Sequence, residues 1–210
     1  MMDFKKCQAE QIKLASKVVI GDDFSEVNTI GGAEAYTVDG RMVTCVVICD
    51  AKTFDIKEKT FAEGKVTSSF EQEFRAYREG PLLGQALSNL KIKPDVMIFS
   101  GEGIMHPRRC GLACHLGVLF DIPSIGISKE AWCGEVKGNE VMIGKEKVAS
   151  FVKTRNHANP IAVSVGHRIS LKSAVEIVTK SIVQPHKMPE PIHLAHKLAK
   201  KHFQEKVVQK

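Results

Sequence analysis

The chain has 210 residues, 43% apolar and 26% charged, which suits one globular domain with a real core and excludes disorder as its main state. No apolar run approaches the roughly 18 residues of a membrane span, and the opening residues are amphipathic with no secretory pattern, so a cytosolic protein with no membrane role and reduced thiols among its six cysteines is expected. Lysine and arginine total 30 against 24 acidic residues, a net charge of +6 with a pI near 9.0, a balance that favours a polyanionic partner without requiring one.

In chain order, residues 3–18 place Phe4, Cys7, Ile12, Leu14 and Val18 at helical spacing, and Gly21, Asp22 and Asp23 close that segment. Three β-prone runs follow at 29–36, 41–49 and 54–61, the first two joined by Asp39-Gly40, a hairpin signal. The second run is almost continuously apolar, as a central strand is. From Glu71 to Leu90 the period becomes helical, with a restart at Gly80-Pro81, because proline is tolerated in a first turn. A buried strand over 95–99, a helix over 107–120 and a strand over 124–128 then alternate as in a parallel α/β unit. A hairpin at 140–154 turns at Gly144-Lys145, and a strand is expected over 161–165. Helices are expected over 171–183 and 189–206, the last one basic and amphipathic. With no repeat and no long linker, residues 1–210 read as a single domain.

Three motifs then stand out. They are Tyr77-Arg78-Glu79-Gly80-Pro81, the run Gly101-Glu102-Gly103-Ile104-Met105-His106-Pro107-Arg108-Arg109, and Gly166-His167-Arg168. With the intervening GLACHLGVLFDIPSIGISK and the closing MPEPIHLAHKLA, the chain resembles the endonuclease V family over roughly residues 12–199. The resemblance implies a ribonuclease H-like α/β fold, a mixed central sheet flanked by helices. It implies Mg²⁺-dependent cleavage of a DNA or RNA strand near deoxyinosine or inosine, as in DNA repair. An aspartate on the first strand, another ending the strand before the HPRR motif, and the glutamate of REGP would hold the metal. Such converging oxygens suit Mg²⁺, which orients water and stabilises the leaving oxygen.

The chain departs from that pattern where the metal should sit. Aligned on the tyrosine, the first aspartate falls on Ala33 and the second on Ser100, leaving Glu79. Glu34 and Glu102 are the nearby carboxylates. Glu34 would face away from the site unless a bulge at Gly31-Gly32 turned it, since neighbouring strand residues alternate faces. The loop before REGP reads Ser69-Phe70-Glu71-Gln72, where Phe70 is either a stacking wedge or core packing.

On the binding side, Tyr77, His106, Arg108, Arg109, Lys129, His167 and Arg168 match the family. Glu79, Lys129 and His167 are the catalytic candidates; Phe70, Tyr77, His106, Arg108, Arg109 and Arg168 are the nucleic-acid contacts. A zinc site from His106, Cys110 and Cys114, or from Cys45 and Cys49, is disfavoured because the cysteines lie on a helix and a strand. The spacing of His186, His193, His196 and His202 sets no three of them together. The leading expectation is a protein that binds DNA or RNA, inosine-containing or otherwise modified bases included, with weak or lost cleavage. Its rivals are an active nuclease using Glu34, Glu79 and Glu102, and a non-catalytic scaffold.

Overall fold

A computed structural model describes residues 2–66 and 68–208. Helix α1 spans Phe4–Ala15, its first turn capped by Asp3, whose side chain accepts from the Lys6 N–H. Strands β1 (Thr29–Val38), β2 (Arg41–Asp50) and β3 (Ile56–Lys65) form an antiparallel meander. Its first turn is Asp39-Gly40, both at positive φ, as the sequence required. Nearly all of β2 is buried.

The helical stretch after Glu71 is broken three ways. A 3-10 turn over Gln72–Phe74 leads into α2 (Arg75–Arg78) and then α3 (Gly80–Ser88), with Pro81 in the first turn of α3. Strand β4 (Val96–Ser100), α4 (Leu112–Phe120) and β5 (Ser124–Ser128) follow. Helix α4 begins five residues later than the sequence suggested. Arg109 sits at φ 58°, in the left-handed region that stops a helix. Strands β6 (Glu135–Lys137), β7 (Glu140–Ile143), β8 (Glu146–Val152) and β9 (Ile161–His167) precede α5 (Leu171–Lys180) and α6 (Glu190–Val208). Among the described residues, the short exposed β6 is the strand with no counterpart in the expected elements.

The strands form one nine-stranded mixed sheet in the order β3-β2-β1-β4-β5-β9-β8-β7-β6. The β1–β4 and β4–β5 pairs are parallel and the others antiparallel. Apolar side chains cover both faces. On one, α6 buries Ile192, Ala195 and Ala199 against Ile30, Val43, Cys45 and Val47, a spacing of three and four residues that forms one helical stripe. On the other, Leu83, Ala86 and Leu87 of α3 pack with Ala33, Ile48, Met97 and Phe99. Close approach of α6 depends on Gly32, where a methyl group would run into the Pro191 backbone. Among the described residues no helix is long and apolar enough to cross a membrane.

Candidate functional site

The C-terminal ends of β1, β4 and β5 open into a cleft of about 730 Å³, closed on one side by α6. Glu34, Ser100, Glu102 and Lys129 line it with Phe70, Gln72, Arg75 and Trp132, and the α6 side contributes Ile192, His193 and His196.

Register decides which first-strand residue enters this cleft. Strand β1 pairs with β2 residue by residue from Thr29 to Val38, without a bulge. Ala33 packs into the core beneath the sheet, opposite α6, so its neighbour Glu34 takes the cleft side. This corrects the expectation that Glu34 needs a distortion to face inward. The first-strand carboxylate implied by the resemblance is offered at 34, and Ala33 is a core methyl. Because Ala33 pairs with Phe99 in the parallel β1–β4 ladder, Glu34 and Ser100 stand side by side one residue further on.

Glu102 reaches the same place by a bend. The Gly101 N–H donates to both Phe99 and Ile127 carbonyls, each at 2.9 Å, so the chain turns across the end of β5. Gly126 leaves the space for that loop to lie on β5. Glu102 is 1% exposed and accepts a hydrogen bond from the Gln72 side-chain amide.

Arg75 sits at the centre of the carboxylates. Its Nε and Nη2 donate to the two oxygens of Glu79 at 3.1 and 2.9 Å, and Nη2 also donates to the Ser100 carbonyl at 2.8 Å. Burial works against its charge, but Glu79, Glu102 and Glu34 outweigh that and hold the guanidinium protonated above its ordinary value. Removal from water lifts the Glu34 carboxyl from 4.5 to about 7, with Ser100, Arg75 and Lys129 only partly opposing. Burial likewise raises Glu102, offset in part by Arg75 and Gln72.

The donor set does not fit Mg²⁺ as arranged. That ion demands near-octahedral oxygen ligands at about 2.0–2.1 Å. Both Glu79 oxygens are bound to the guanidinium, a Glu102 oxygen is bound to Gln72, and position 100 offers a neutral hydroxyl. A cation in their midst would have to displace Arg75 from Glu79.

Other residues expected at the site lie elsewhere. Tyr77 is half-buried between α1 and α4, its hydroxyl donating to the Cys7 carbonyl at 2.8 Å and its ring edge-on to His115. His106 is 1% exposed. Its Nε2 donates to the Glu73 carbonyl at 3.0 Å and its Nδ1 accepts from the Arg108 N–H at 3.1 Å. Burial pushes its pKa down to about 4, fixing a neutral ring. Arg108 spans Gln11 and Glu73, each at 2.7 Å, over the Phe74 face. Arg109 donates to the Ile104 carbonyl at 2.7 Å and pairs with Glu146.

His167 pairs with Ser124, the opposite end of β5 from Ser128 and the cleft. It is buried and accepts from the Val19 N–H at 3.2 Å. Burial and the neighbouring Arg168 lower its pKa. Arg168 pairs with Asp23 and, at 2.8 Å, with Asp121. The HPRR and GHR runs therefore clasp loops to the sheet, because charge-assisted hydrogen bonds and ion pairs from Arg108, Arg109 and Arg168 act as internal ties. Phe70 and Lys129 do line the cleft. Phe70 is 54% exposed, with Arg75 and Arg78 at 5.9 and 5.4 Å from its ring centre.

Arg75, Gln72, Trp132, His193 and His196 were not foreseen in the sequence. Arg75 gave one signal, a cation one turn before Glu79, the spacing of a helical ion pair. Cys45, Cys49, Cys110 and Cys114 are buried free thiols, and burial lifts the first three to about 12, so they pack as small apolar groups.

A family model described as Endonuclease V matches residues 12–197. Endonuclease V proteins of Dictyoglomus thermophilum and Rippkaea orientalis are 34% and 35% identical over 199 residues, spanning 91% and 90% of this chain and 87% and 86% of theirs. The crystal structure of endonuclease V from Streptomyces avermitilis superposes with a TM-score of 0.87 at 27% identity, over 99% of this chain and 96% of that one. Ciona intestinalis endonuclease V, in complex with a 24mer DNA containing an inosine followed by a ribo-adenosine, gives 0.85 at 27% identity over 96% and 98%. Agreement of sequence and fold along nearly the whole length shows that the chain belongs to the endonuclease V family.

Proposed function

We propose that this protein holds a DNA or RNA strand in the cleft beside α6, inosine-containing as in the Ciona relative, and that the cleavage reaction of its family is weak or lost. The observation that carries this reading is Arg75, whose guanidinium binds Glu79 in bidentate fashion and the Ser100 carbonyl from within the carboxylate set. An arginine is charged at any working pH, so it permanently offsets the charge of Glu79 and competes with a divalent ion for its oxygens. The binding side has suitable chemistry: Lys129 supplies a cation for a phosphate, and Phe70 and Trp132 supply aromatic faces for bases.

The test is strand binding and strand cleavage measured together, on inosine-containing DNA and RNA with Mg²⁺ or Mn²⁺. Salt-sensitive binding with little or no cleavage is expected. Cleavage should rise only when the family-like set is rebuilt by combining Arg75→Leu with Ser100→Asp. Robust turnover by the unaltered chain, abolished by Glu34→Gln, would overturn the reading. One observation favours that second reading of an active nuclease: Glu34 faces the cleft beside Ser100 and shares it with Glu102. Binding that is absent at low salt would leave the scaffold role.

A further inference from the structure

A second group of ligands lies where α6 begins. Glu190 and His193 occupy one face of its first turn, three residues apart, and His186 approaches from the preceding loop. The imidazoles of His186 and His193 stack with ring centres 3.5 Å apart and planes 14° from parallel. His186 Nδ1 lies 2.6 Å from a Glu190 oxygen. One ligand atom from each of the three residues falls within 4.8 Å of the others. A tetrahedral zinc ion with arms of about 2.0–2.1 Å separates its ligand atoms by roughly 3.3 Å; the spacing suits one ion once an imidazole turns out of the stack so that both ring planes meet at it.

The backbone holding them is already fixed. The His186 N–H donates to the Val183 carbonyl at 2.9 Å, the Glu190 N–H to the Ser181 carbonyl at 2.7 Å, and the His193 N–H to the Pro189 carbonyl at 3.0 Å. The His186 and Glu190 side chains are 29% and 13% exposed, open enough for an ion to enter and sheltered enough to hold it. Unlike the Arg75 cluster, this group has no arginine or lysine ion-paired to Glu190 among the described residues, and the neighbouring Ser181 hydroxyl is engaged on the Ile177 carbonyl.

We propose that His186, Glu190 and His193 form a binding site for a zinc-class divalent metal, with water as the fourth ligand. Two imidazoles and one carboxylate are a donor set that zinc accepts and Mg²⁺ does not favour. The ion would tie the 183–189 loop to the first turn of α6, at the edge of the cleft lined by His193. This site is separate from the Glu34–Glu79–Glu102 set and does not rest on any nuclease activity.

The experiment uses the full chain without a polyhistidine tag, titrated with Co²⁺ as a spectroscopic probe and with Zn²⁺ in competition. One equivalent of Co²⁺ with the intense visible bands of a low-coordinate site, displaced by one equivalent of Zn²⁺, is expected. Loss of an outer-sphere partner already costs about 10–100-fold in metal affinity. His186→Ala and His193→Ala are therefore each expected to weaken binding at least about 100-fold, while Glu34→Gln leaves it unchanged. His186 lies outside any helix, so its replacement leaves α6 intact and keeps the test independent of folding; Zn²⁺ should raise the melting temperature of the unaltered chain and not of that variant. Absence of saturable uptake, uptake that survives both histidine replacements, or uptake that disappears with Glu34→Gln would each overturn the proposal.

Discussion

Glu34 and His106 titrate in opposite senses across one pH window. The Glu34 carboxyl, raised from 4.5 to about 7, holds a proton in the folded chain that the unfolded chain has released. Its contribution favours the fold below pH 4.5 and is lost as pH rises through 7. The His106 imidazole, lowered from 6.5 to about 4, does the reverse: its contribution is complete above pH 6.5 and is lost as pH falls through 4. Urea unfolding between pH 4 and 8 should separate them. Glu34→Gln is expected to raise stability at pH 8, relative to pH 4, by up to about 3 kcal/mol. His106→Gln should flatten the fall on acidification. An unchanged slope in either variant would mean that its group does not titrate in this window. Arg75 belongs to the same scale: Arg75→Leu leaves buried Glu79 with only Arg78, at 3.9 Å, an expected cost of up to about 3–5 kcal/mol that Glu79→Gln in the same chain should partly recover.

The helices and strands act by placing those residues. Helix α6 covers the sheet above β1, and its seat depends on Gly32, where any side chain meets the Pro191 backbone. Gly32→Ala should cost about 1–3 kcal/mol by forcing the packed elements apart, and a melting temperature equal to that of the unaltered chain would show that α6 can shift freely. Most elements were readable from their periods, because a strand needs an alternating or apolar run and a helix a stripe. The start of α4 was not. Pro107 looks like a first-turn residue, yet the left-handed Arg109 and the loop that Gly103, Gly111 and Gly126 pack together delay the helix to Leu112. Backbone contacts between distant glycines leave no periodic trace in a sequence.

At the scale of the whole molecule, the net +6 charge is partly consumed internally, with Lys206 held 2.5 Å from Glu63 and Arg168 paired with two aspartates. Strand binding should therefore depend on a few cleft cations rather than on the total. In a salt titration with single-stranded oligonucleotides, Lys129→Ala is expected to reduce the slope of log K against log salt by about 0.7, one phosphate's share. Phe70→Ala should cost about 1–3 kcal/mol of affinity with the slope unchanged, because stacking releases no counterions. The lone Trp132 in the cleft wall offers a fluorescence signal for both titrations. By itself the sequence determined the family, the mixed α/β fold class, nearly every element and the replacement of Asp by Ser100, since these rest on local pattern and residue identity. Tertiary structure alone decided that Glu34 and not Ala33 enters the cleft, that Arg75 stands among the acids, that the HPRR and GHR side chains tie loops together, and that His186 meets Glu190 and His193. Strand register and the packing of residues far apart in the chain set those facts, and neither is written in any single stretch of residues.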